Sequence, residues 1–412
     1  MTSVALLRQI TDYANRHDPY PLYAELRKTP VVQDETGPYL VSTYWEIHNL
    51  LHDPRLSSDL RNLNPEVARS IGHEEDPNLP PAFLRLDPPE HDRLRRLAMR
   101  PFGPPHTPRR VYEMRGKLGE IVSGLIDGFR DRGQIDLVDD FSYPFPVTVI
   151  CRLLGIPRED ETRFHAWADT IAASVDPVQG TDEERAARLQ TVRQARTDLS
   201  AFLSDLIEQR RRSPRDDMLS AMAAGHGPDS EMSLVEMVST SVLLLIAGHE
   251  TTVNLITNGM LTLLRNPDVL KRLRDDHALV VPLVEELLRF EPPVQLLPQK
   301  TTLTDIDIAG TTIPKGAQIW LVLASGNRDP ERFPDPDRFI PDRPDNQHLG
   351  FSSGVHNCFG SPLARLEAQI ALTELVRRLD NPRLVEDPPP YRQNAVLRGP
   401  RHLGIAFDGL RQ

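Results

Sequence analysis

Residues 351–360 read FSSGVHNCFG, and a periodic segment that predicts a helix over 362–379 follows them. Ser361 and Pro362 form a typical N-cap and first-turn pair, which places Cys358 just before a helix N-terminus. The backbone dipoles at such an end favour a thiolate. Gly354 and Gly360 allow the backbone to turn tightly beside the sulfur. The thiolate can therefore be a nucleophile or a metal ligand, and a purely structural cysteine is the alternative.

Composition and charge narrow the class of protein. The chain has 412 residues, 39% hydrophobic content and a formal net charge of −11, with a pI near 5.7. This acidic balance argues against nucleic-acid binding, which needs a basic surface. Two cysteines in so long a chain indicate a reducing compartment, and no CxxC or CxxCH spacing for zinc or attached haem is present. Cys151 is expected to be a small buried apolar residue.

Helical periodicity dominates the chain, so the sequence predicts a mainly α protein with a smaller β-rich part. We find no internal repeat and no flexible linker, and we expect a single domain over 1–412. The N-terminus has no signal-peptide core, and the apolar stretch 237–248 is too short to cross a bilayer. A cytoplasmic, unanchored protein is expected. The predicted helices cover 109–131, 140–154, 184–212, 232–264, 281–290 and 362–379, and the predicted strands 31–42, 302–308, 317–323 and 395–407.

The longest predicted helix contains AGHETT at residues 247–252. Gly248 lowers helix propensity and Thr251 can bond back to a preceding carbonyl, so the segment is expected to bulge locally and leave room for a small ligand. The alternative is a glycine chosen for close helix packing. Ala247 and Thr251 lie one turn apart and share one side of the helix.

Two charge patterns are weak signals by themselves. Glu286 and Arg289 lie three apart on one helical face, and most such pairs are exposed surface ion pairs. In DPPEHDRLRRLAMRPF, over 87–102, His91 and Arg95 are spaced i, i+4. A second stripe on that segment consists of Arg93, Arg96 and Arg100. A solvated basic face is the usual explanation for such a helix.

The decapeptide resembles the haem-ligand loop of the cytochrome P-450 superfamily, F-x-x-G-x-[HR]-x-C-x-G, and matches it at Phe351, Gly354, His356, Cys358 and Gly360. The resemblance implies that Cys358 is the axial thiolate of haem iron, that His356 neighbours a propionate and that Phe351 packs near the sulfur. It also implies the cytochrome P-450 fold, in which haem lies between a long central helix and the cysteine loop with its helix.

Further motifs in the same order strengthen this resemblance over nearly the whole chain. AGHETT resembles the family's acid-alcohol motif, with Glu250 in the proton-delivery route and Thr251 steadying dioxygen. Ala247 and Gly248 would then lie beside the haem, and His249 is expected to be structural.

The remaining motifs concern charged residues around the haem. The E-x-x-R pattern implies a buried charge network of Glu286, Arg289 and Arg338. The H-x-x-x-R pattern assigns His91 and Arg95 to the haem propionates. Lys300 occupies a position where many bacterial relatives carry a propionate-binding arginine, and it cannot supply that residue's bidentate fork.

The function implied is that of a soluble bacterial haem-thiolate monooxygenase, similar to actinobacterial enzymes that tailor antibiotics. It would use haem b and O2 for hydroxylation or epoxidation, with electrons from NAD(P)H through a ferredoxin reductase and a ferredoxin. The ferredoxin would dock on Arg93, Arg96 and Arg100, and the protein is expected to be a monomer without membrane or nucleic-acid partners. One alternative is a non-catalytic haem-binding relative, acting as a sensor or partner-enzyme scaffold. Another is a cysteine hydrolase that uses Cys358 with His356.

The substrate is expected to be lipophilic: a polyketide, macrolide or terpenoid secondary metabolite. A lid is expected around 59–85 and 174–181. The Gly-rich stretch 225–230 lacks the third glycine and the preceding strand of a dinucleotide site, so no nicotinamide or flavin domain is predicted. The candidate substrate-pocket residues share apolar side chains and are Leu243, Leu244, Ala247, Leu296, Leu297, Val396 and Leu397.

Overall fold

The computed structural model describes residues 6–65, 81–100, 109–172, 181–224 and 231–411. The chain divides into two compact units. The first comprises Met1–Leu56, Val111–Pro146 and Glu250–Gln412, and the second comprises Ser57–Arg110 and Val147–His249. The predominance of helix with a smaller sheet part confirms the predicted fold class.

The first unit combines helices with most of the strands. Its sheet-rich part brings Tyr39–Val41 beside Gln318–Leu321, so it is built from distant parts of the chain. The helices within this unit are Leu6–Thr11, Tyr20–Leu26, Tyr44–Leu51, Arg115–Asp127, Pro267–Asp275, Val280–Phe290, Leu323–Gly326 and Ser361–Arg378. We name Val280–Phe290 the E-x-x-R helix and Ser361–Arg378 the helix after the loop.

The largest sheet follows the order Val31–Gln33, Tyr39–Val41, Gln318–Leu321 and Leu297–Thr302, with Leu56–Ser57 at its edge. The first pair is antiparallel, with Val31 opposite Val41, and the second is parallel, with Tyr39 opposite Ile319. Buried β-branched and aromatic side chains on these strands pack against the helix Tyr44–Leu51 to form a core. The smaller sheets consist of Arg383–Leu384, Gly404–Ala406 and Gln134–Asp136; of Leu379–Asp380 with Gly409–Leu410; and of Ile306–Ile308 with Thr311–Ile313.

The second unit is helical. Its long helix begins two residues before the predicted start because Thr181 caps it: the hydroxyl accepts the Glu184 N–H at 3.2 Å, and the Glu184 carboxylate accepts the Thr181 N–H at 2.8 Å. The helices within this unit are Glu90–Met99, Glu161–Ala172, Asp182–Arg212 and Met218–Ala223. We name Glu90–Met99 the His91 helix.

Within the described ranges, three helices have residues in both units: Arg109–Glu113, Pro144–Leu154 and Leu234–Arg265. The last is the central helix, and it remains α-helical from end to end. The bulge expected at Gly248 is therefore absent from this helix. A Cβ at Gly248 would lie 3.4 Å from Ile150 Cδ1, an ordinary contact distance, so packing in the second unit does not require a glycine there.

Several predicted boundaries were wrong for local reasons. The predicted helix 109–131 breaks at Met114, and the helix predicted from 140 begins at Pro144 after a π turn over Val138–Ser142. The C-terminal strand covers only Gly404–Ala406, because the preceding residues form a loop with isolated bridges. The helix after the loop begins at Ser361 itself, with Gly360 as its N-cap, so Ser361 is not the cap.

Candidate active site

The cysteine loop is a tightly folded segment of the first unit. Gly354 has φ +69°, and a Cβ there would lie 2.1 Å from the Leu51 carbonyl oxygen, so only glycine fits. The Cys358 N–H donates to the Phe351 carbonyl at 3.0 Å and closes the loop. The helix after the loop begins at Ser361. The residues of the motif thus fix the backbone on both sides of the sulfur.

The two cysteines have different environments, as predicted. Cys151 is fully buried, and burial raises the pKa of its thiol to about 12. Cys358 forms no disulfide and is partly exposed. A thiol at the start of a helix, in a loop without bulky side chains at Gly354 and Gly360, is a suitable donor for a soft metal centre such as haem iron. The residues present therefore fit a thiolate-bound haem.

The acid-alcohol residues lie on the central helix. Glu250 is only 4% exposed, and its carboxylate pairs with Arg392, with 3.2 Å between Oε1 and Nη1. One side of the helix carries Leu243, Ala247 and Thr251, which are spaced four residues apart. Each of them is less buried than the next two residues along the chain. This side of the helix presents small and apolar groups, while the acid points into the fold.

Arg392 is a site residue that the sequence did not reveal. Its N–H donates to the Gly399 carbonyl at 3.1 Å, and a Cβ at Gly399 would lie 2.2 Å from Asn254 Oδ1. The C-terminal loop therefore packs closely on the central helix within the first unit, and this approach brings Arg392 to Glu250. An arginine some 140 residues from its partner leaves no spacing signal in the sequence.

Four predicted pocket residues of the first unit come together. The Gln295 N–H donates to the Val396 carbonyl at 2.9 Å, and Val294 forms a β-bridge with Leu397. Leu296, Val396 and Leu397 are buried, and Leu297 is partly buried. The segments 294–297 and 395–397 thus lie side by side, and we call their apolar residues the apolar wall. Leu243 and Leu244 lie on the central helix in the second unit, where Leu244 is buried.

The buried charge network forms, but with a different third member. Glu286 and Arg289 are fully buried and joined by two hydrogen bonds of 2.8 Å. The prediction of Arg338 was wrong: its side chain is exposed, and only its backbone carbonyl accepts bonds from Arg289 and Arg343. Arg343 completes the network, with its Nε 3.2 Å from both Glu286 oxygens. The Glu286 carboxylate compensates the desolvation of both buried arginines.

The predicted propionate residues lie in both units. Lys300 is 8% exposed on the strand Leu297–Thr302 of the first unit, and His356 ends the short turn Gly354–His356. In the second unit His91 is 1% exposed, with Nδ1 2.8 Å from Asp92 Oδ1, and Arg95 lies one turn further along the His91 helix. His249 is buried, consistent with a structural residue. Most of the expected lid, and the stretch 225–230, lie outside the described residues.

Together, the mainly helical fold, the cysteine loop and the buried E-x-x-R network fit the class of proteins that hold a metal cofactor through cysteine. A family model described as cytochrome P-450 matches residues 67–407. The vitamin D(3) 25-hydroxylase of Pseudonocardia autotrophica is 39% identical over 93% of this chain and 92% of its own. The 6-deoxyerythronolide B hydroxylase of Saccharopolyspora erythraea is 36% identical over 95% of this chain and 96% of its own. The crystal structure of Mycobacterium smegmatis CYP164A2 with econazole bound superposes with a TM-score of 0.88 at 37% identity, covering 98% of this chain and 99% of the other.

The chain belongs to the cytochrome P-450 family. It is a haem-dependent monooxygenase that uses O2 and receives electrons from NAD(P)H through redox partners. This family assignment disfavours a cysteine hydrolase. Within the described ranges, the central helix alone is long and apolar enough to cross a bilayer, and half of its most apolar window is buried in the fold. Core helices pass the same test, so this is weak support for a membrane span.

Proposed function

We propose that this monooxygenase acts on a lipophilic polyketide, macrolide or terpenoid of secondary metabolism, by hydroxylation or epoxidation. The observation that carries this proposal is the apolar wall formed by 294–297 and 395–397, which packs on the central helix close to Thr251. Asn254, one turn after Thr251, lies with its Nδ2 3.5 Å from the Leu397 carbonyl. The named substrates of the two hydroxylase relatives, vitamin D(3) and an erythronolide, are in keeping with such a wall.

The candidate site residues have distinct roles in this proposal. Cys358 binds the haem iron, and the thiolate-ligated haem supplies oxygen activation. The haem lies close to Ala247, Gly248, Phe351, Gly354 and Gly360. Its propionates are bound by His91, Arg95, Lys300 and His356. Glu286, Arg289 and Arg343 hold the fold on the cysteine side. The whole chain acts as one haem-thiolate domain, a cytoplasmic monomer.

Proton delivery falls to the acid-alcohol residues. Glu250 is held as a carboxylate by Arg392, takes up a proton from solvent and passes it toward the Thr251 hydroxyl. The hydroxyl can both accept and donate a hydrogen bond, so it can relay a proton while orienting the oxygen substrate. Burial of a charged carboxylate to this degree costs free energy unless the carboxylate is paired, and Arg392 is its partner.

Substrate binding tests the apolar wall. We expect lipophilic macrolactones and terpenoids to shift the haem spin state, while their polyhydroxylated analogues bind weakly. Leu297→Asn should weaken binding of the preferred compound roughly tenfold, because the amide loses hydrogen bonds to water when the substrate covers it. Val385→Asn, at a side chain that is 51% exposed, is the control. Equal binding by Leu297→Asn and wild type would contradict the placement of the wall.

The second part of the proposal concerns electron transfer. A ferredoxin reductase reduces a ferredoxin, and the ferredoxin passes the electrons to this protein. Arg93 is 32% exposed and pairs with Glu236 in the second unit. Arg96 and Arg100 belong to the exposed residues of the second unit. The outward basic stripe is thus mainly Arg96 and Arg100, on an otherwise acidic protein. An acidic ferredoxin is steered to such a patch by long-range attraction.

Reversal of charge at Arg96 and Arg100 should slow ferredoxin-dependent haem reduction about tenfold at low ionic strength, since electrostatic steering acts on the association rate. The difference should shrink as salt is added. Arg383→Glu, at an exposed position in the other unit, is the control. If reduction by acidic ferredoxins were independent of both salt and these arginines, the docking patch would be elsewhere.

A further inference from the structure

A charged cluster in the first unit surrounds the residue that opens the cysteine loop. Glu285, on the E-x-x-R helix, accepts two hydrogen bonds from Arg365, at 2.7 Å from Nε and 2.8 Å from Nη2. His348 Nε2 lies 3.1 Å from the same carboxylate. Glu285, His348 and Arg365 form what we call the Glu285 cluster. It joins the segment before the loop to the helix after the loop.

The Glu285 carboxylate is charged at neutral pH. Burial alone would raise the pKa of the Glu285 carboxyl, but hydrogen bonds from Arg365 and His348 outweigh burial and lower the pKa to about 2. His348 Nδ1 accepts the Gly350 N–H at 3.1 Å, so the ring proton belongs on Nε2, facing Glu285. The bidentate geometry of Arg365 on Glu285 also fixes the plane of its guanidinium.

That guanidinium lies against the first residue of the loop. The Arg365 Cζ atom is 4.6 Å from the centroid of the Phe351 ring, within the range of a cation–π contact. The His348 ring is 6.0 Å from the same ring. The Phe351 carbonyl accepts the Cys358 N–H, so the residue held by the cluster makes the hydrogen bond that closes the loop around the sulfur.

We propose that Arg365 is a positioning residue for the Cys358 thiolate: oriented by Glu285 and His348, it holds the Phe351 ring and thereby the loop geometry that keeps the sulfur bound to haem iron. This inference rests on the proposed role of Cys358 as the haem ligand. An ordinary surface ion pair would have no such effect, and the same helix supplies one for comparison. Arg377 and Glu374 are 38% and 23% exposed, against 36% and 27% for Arg365 and Glu285.

The measurement compares two Soret bands of the reduced, carbon-monoxide-bound holoprotein. The ratio is the band of protein that has lost thiolate ligation divided by the red-shifted thiolate band. Arg365→Gln should raise the fraction without thiolate, increasing the ratio roughly two- to thirtyfold, as expected from the usual strength of a cation–π contact. Glu285→Gln should shift the ratio in the same direction, because it releases Arg365 from the ring. A purely electrostatic influence would shift the haem reduction potential in opposite directions for these two variants.

Two further variants test action through the ring. In a Phe351→Leu background, Arg365→Gln should have little additional effect, since the contact is already lost. Arg365→Lys should restore part of the thiolate band, because it keeps the charge but not the bidentate fork, and this milder variant serves if Arg365→Gln folds poorly. Arg377→Gln should match wild type.

The outcomes separate this inference from the role of Cys358. Wild type lacking the red-shifted band would overturn the haem-ligand proposal and this inference with it. Wild type showing the band, with an unchanged ratio in both Arg365→Gln and Glu285→Gln, would overturn this inference alone. Fully additive effects of Arg365→Gln and Phe351→Leu would overturn action through the ring.

Discussion

Cys358→Ala should abolish the red-shifted Soret band of the reduced, carbon-monoxide-bound protein completely, because that band requires a thiolate on the haem iron. Cys358→His should give a histidine-type spectrum instead. The fold should survive either change, since the loop backbone is fixed by Gly354 and by the bond from the Cys358 N–H to Phe351, neither of which needs the sulfur. Thermal unfolding and far-UV circular dichroism check that survival.

Cys151→Ala is the matched control for this experiment. Its thiol is fully buried, and burial raises its pKa, so it is not available as a thiolate at neutral pH. The control should retain the band in full. A red-shifted band that persisted in Cys358→Ala, or one that vanished in Cys151→Ala, would contradict the assignment of the ligand.

Thr251→Ala should uncouple NAD(P)H oxidation from product formation, with the lost product appearing as hydrogen peroxide. In the proposed function this hydroxyl relays a proton that leads to water, so its loss should let the reduced oxygen escape as peroxide. Haem content and substrate binding should stay nearly unchanged. The quantity to measure is product per NAD(P)H in a reconstituted ferredoxin system, and full coupling in the variant would show that the hydroxyl is structural.

Glu250→Gln should instead slow turnover, on the order of 10²-fold, because an amide cannot pass on a proton as an acid does. The substitution also leaves Arg392 without its anionic partner, which could harm the fold independently. The double variant Glu250→Gln with Arg392→Gln separates these effects, since it removes the unpaired charge. Turnover should remain slow in the double variant; recovery to the wild-type rate would mean that Glu250 acts only through its ion pair.

The sequence by itself determined the fold class and identified the main elements of the candidate site. The cysteine loop, AGHETT and E-x-x-R are local patterns, in which each residue is defined by its distance along the chain from its neighbours. Gly354 is an example: its positive φ and its contact with Leu51 tolerate no side chain, so the requirement appears directly as a glycine in the motif. Periodicity likewise gave the central helix to within two residues at its start.

Tertiary structure alone decided which charged residues meet. Arg338 and Arg343 both follow an aspartate in the same Pro-rich segment, and nothing in the sequence distinguishes them. The turns of that segment direct Arg343 into the fold and leave Arg338 in solvent. Arg392 reaches Glu250, and Arg365 reaches Glu285, from 142 and 80 residues away. Ion pairs of this kind depend on how segments pack in three dimensions. The charge of a residue does not indicate which distant residue will lie beside it in the folded protein.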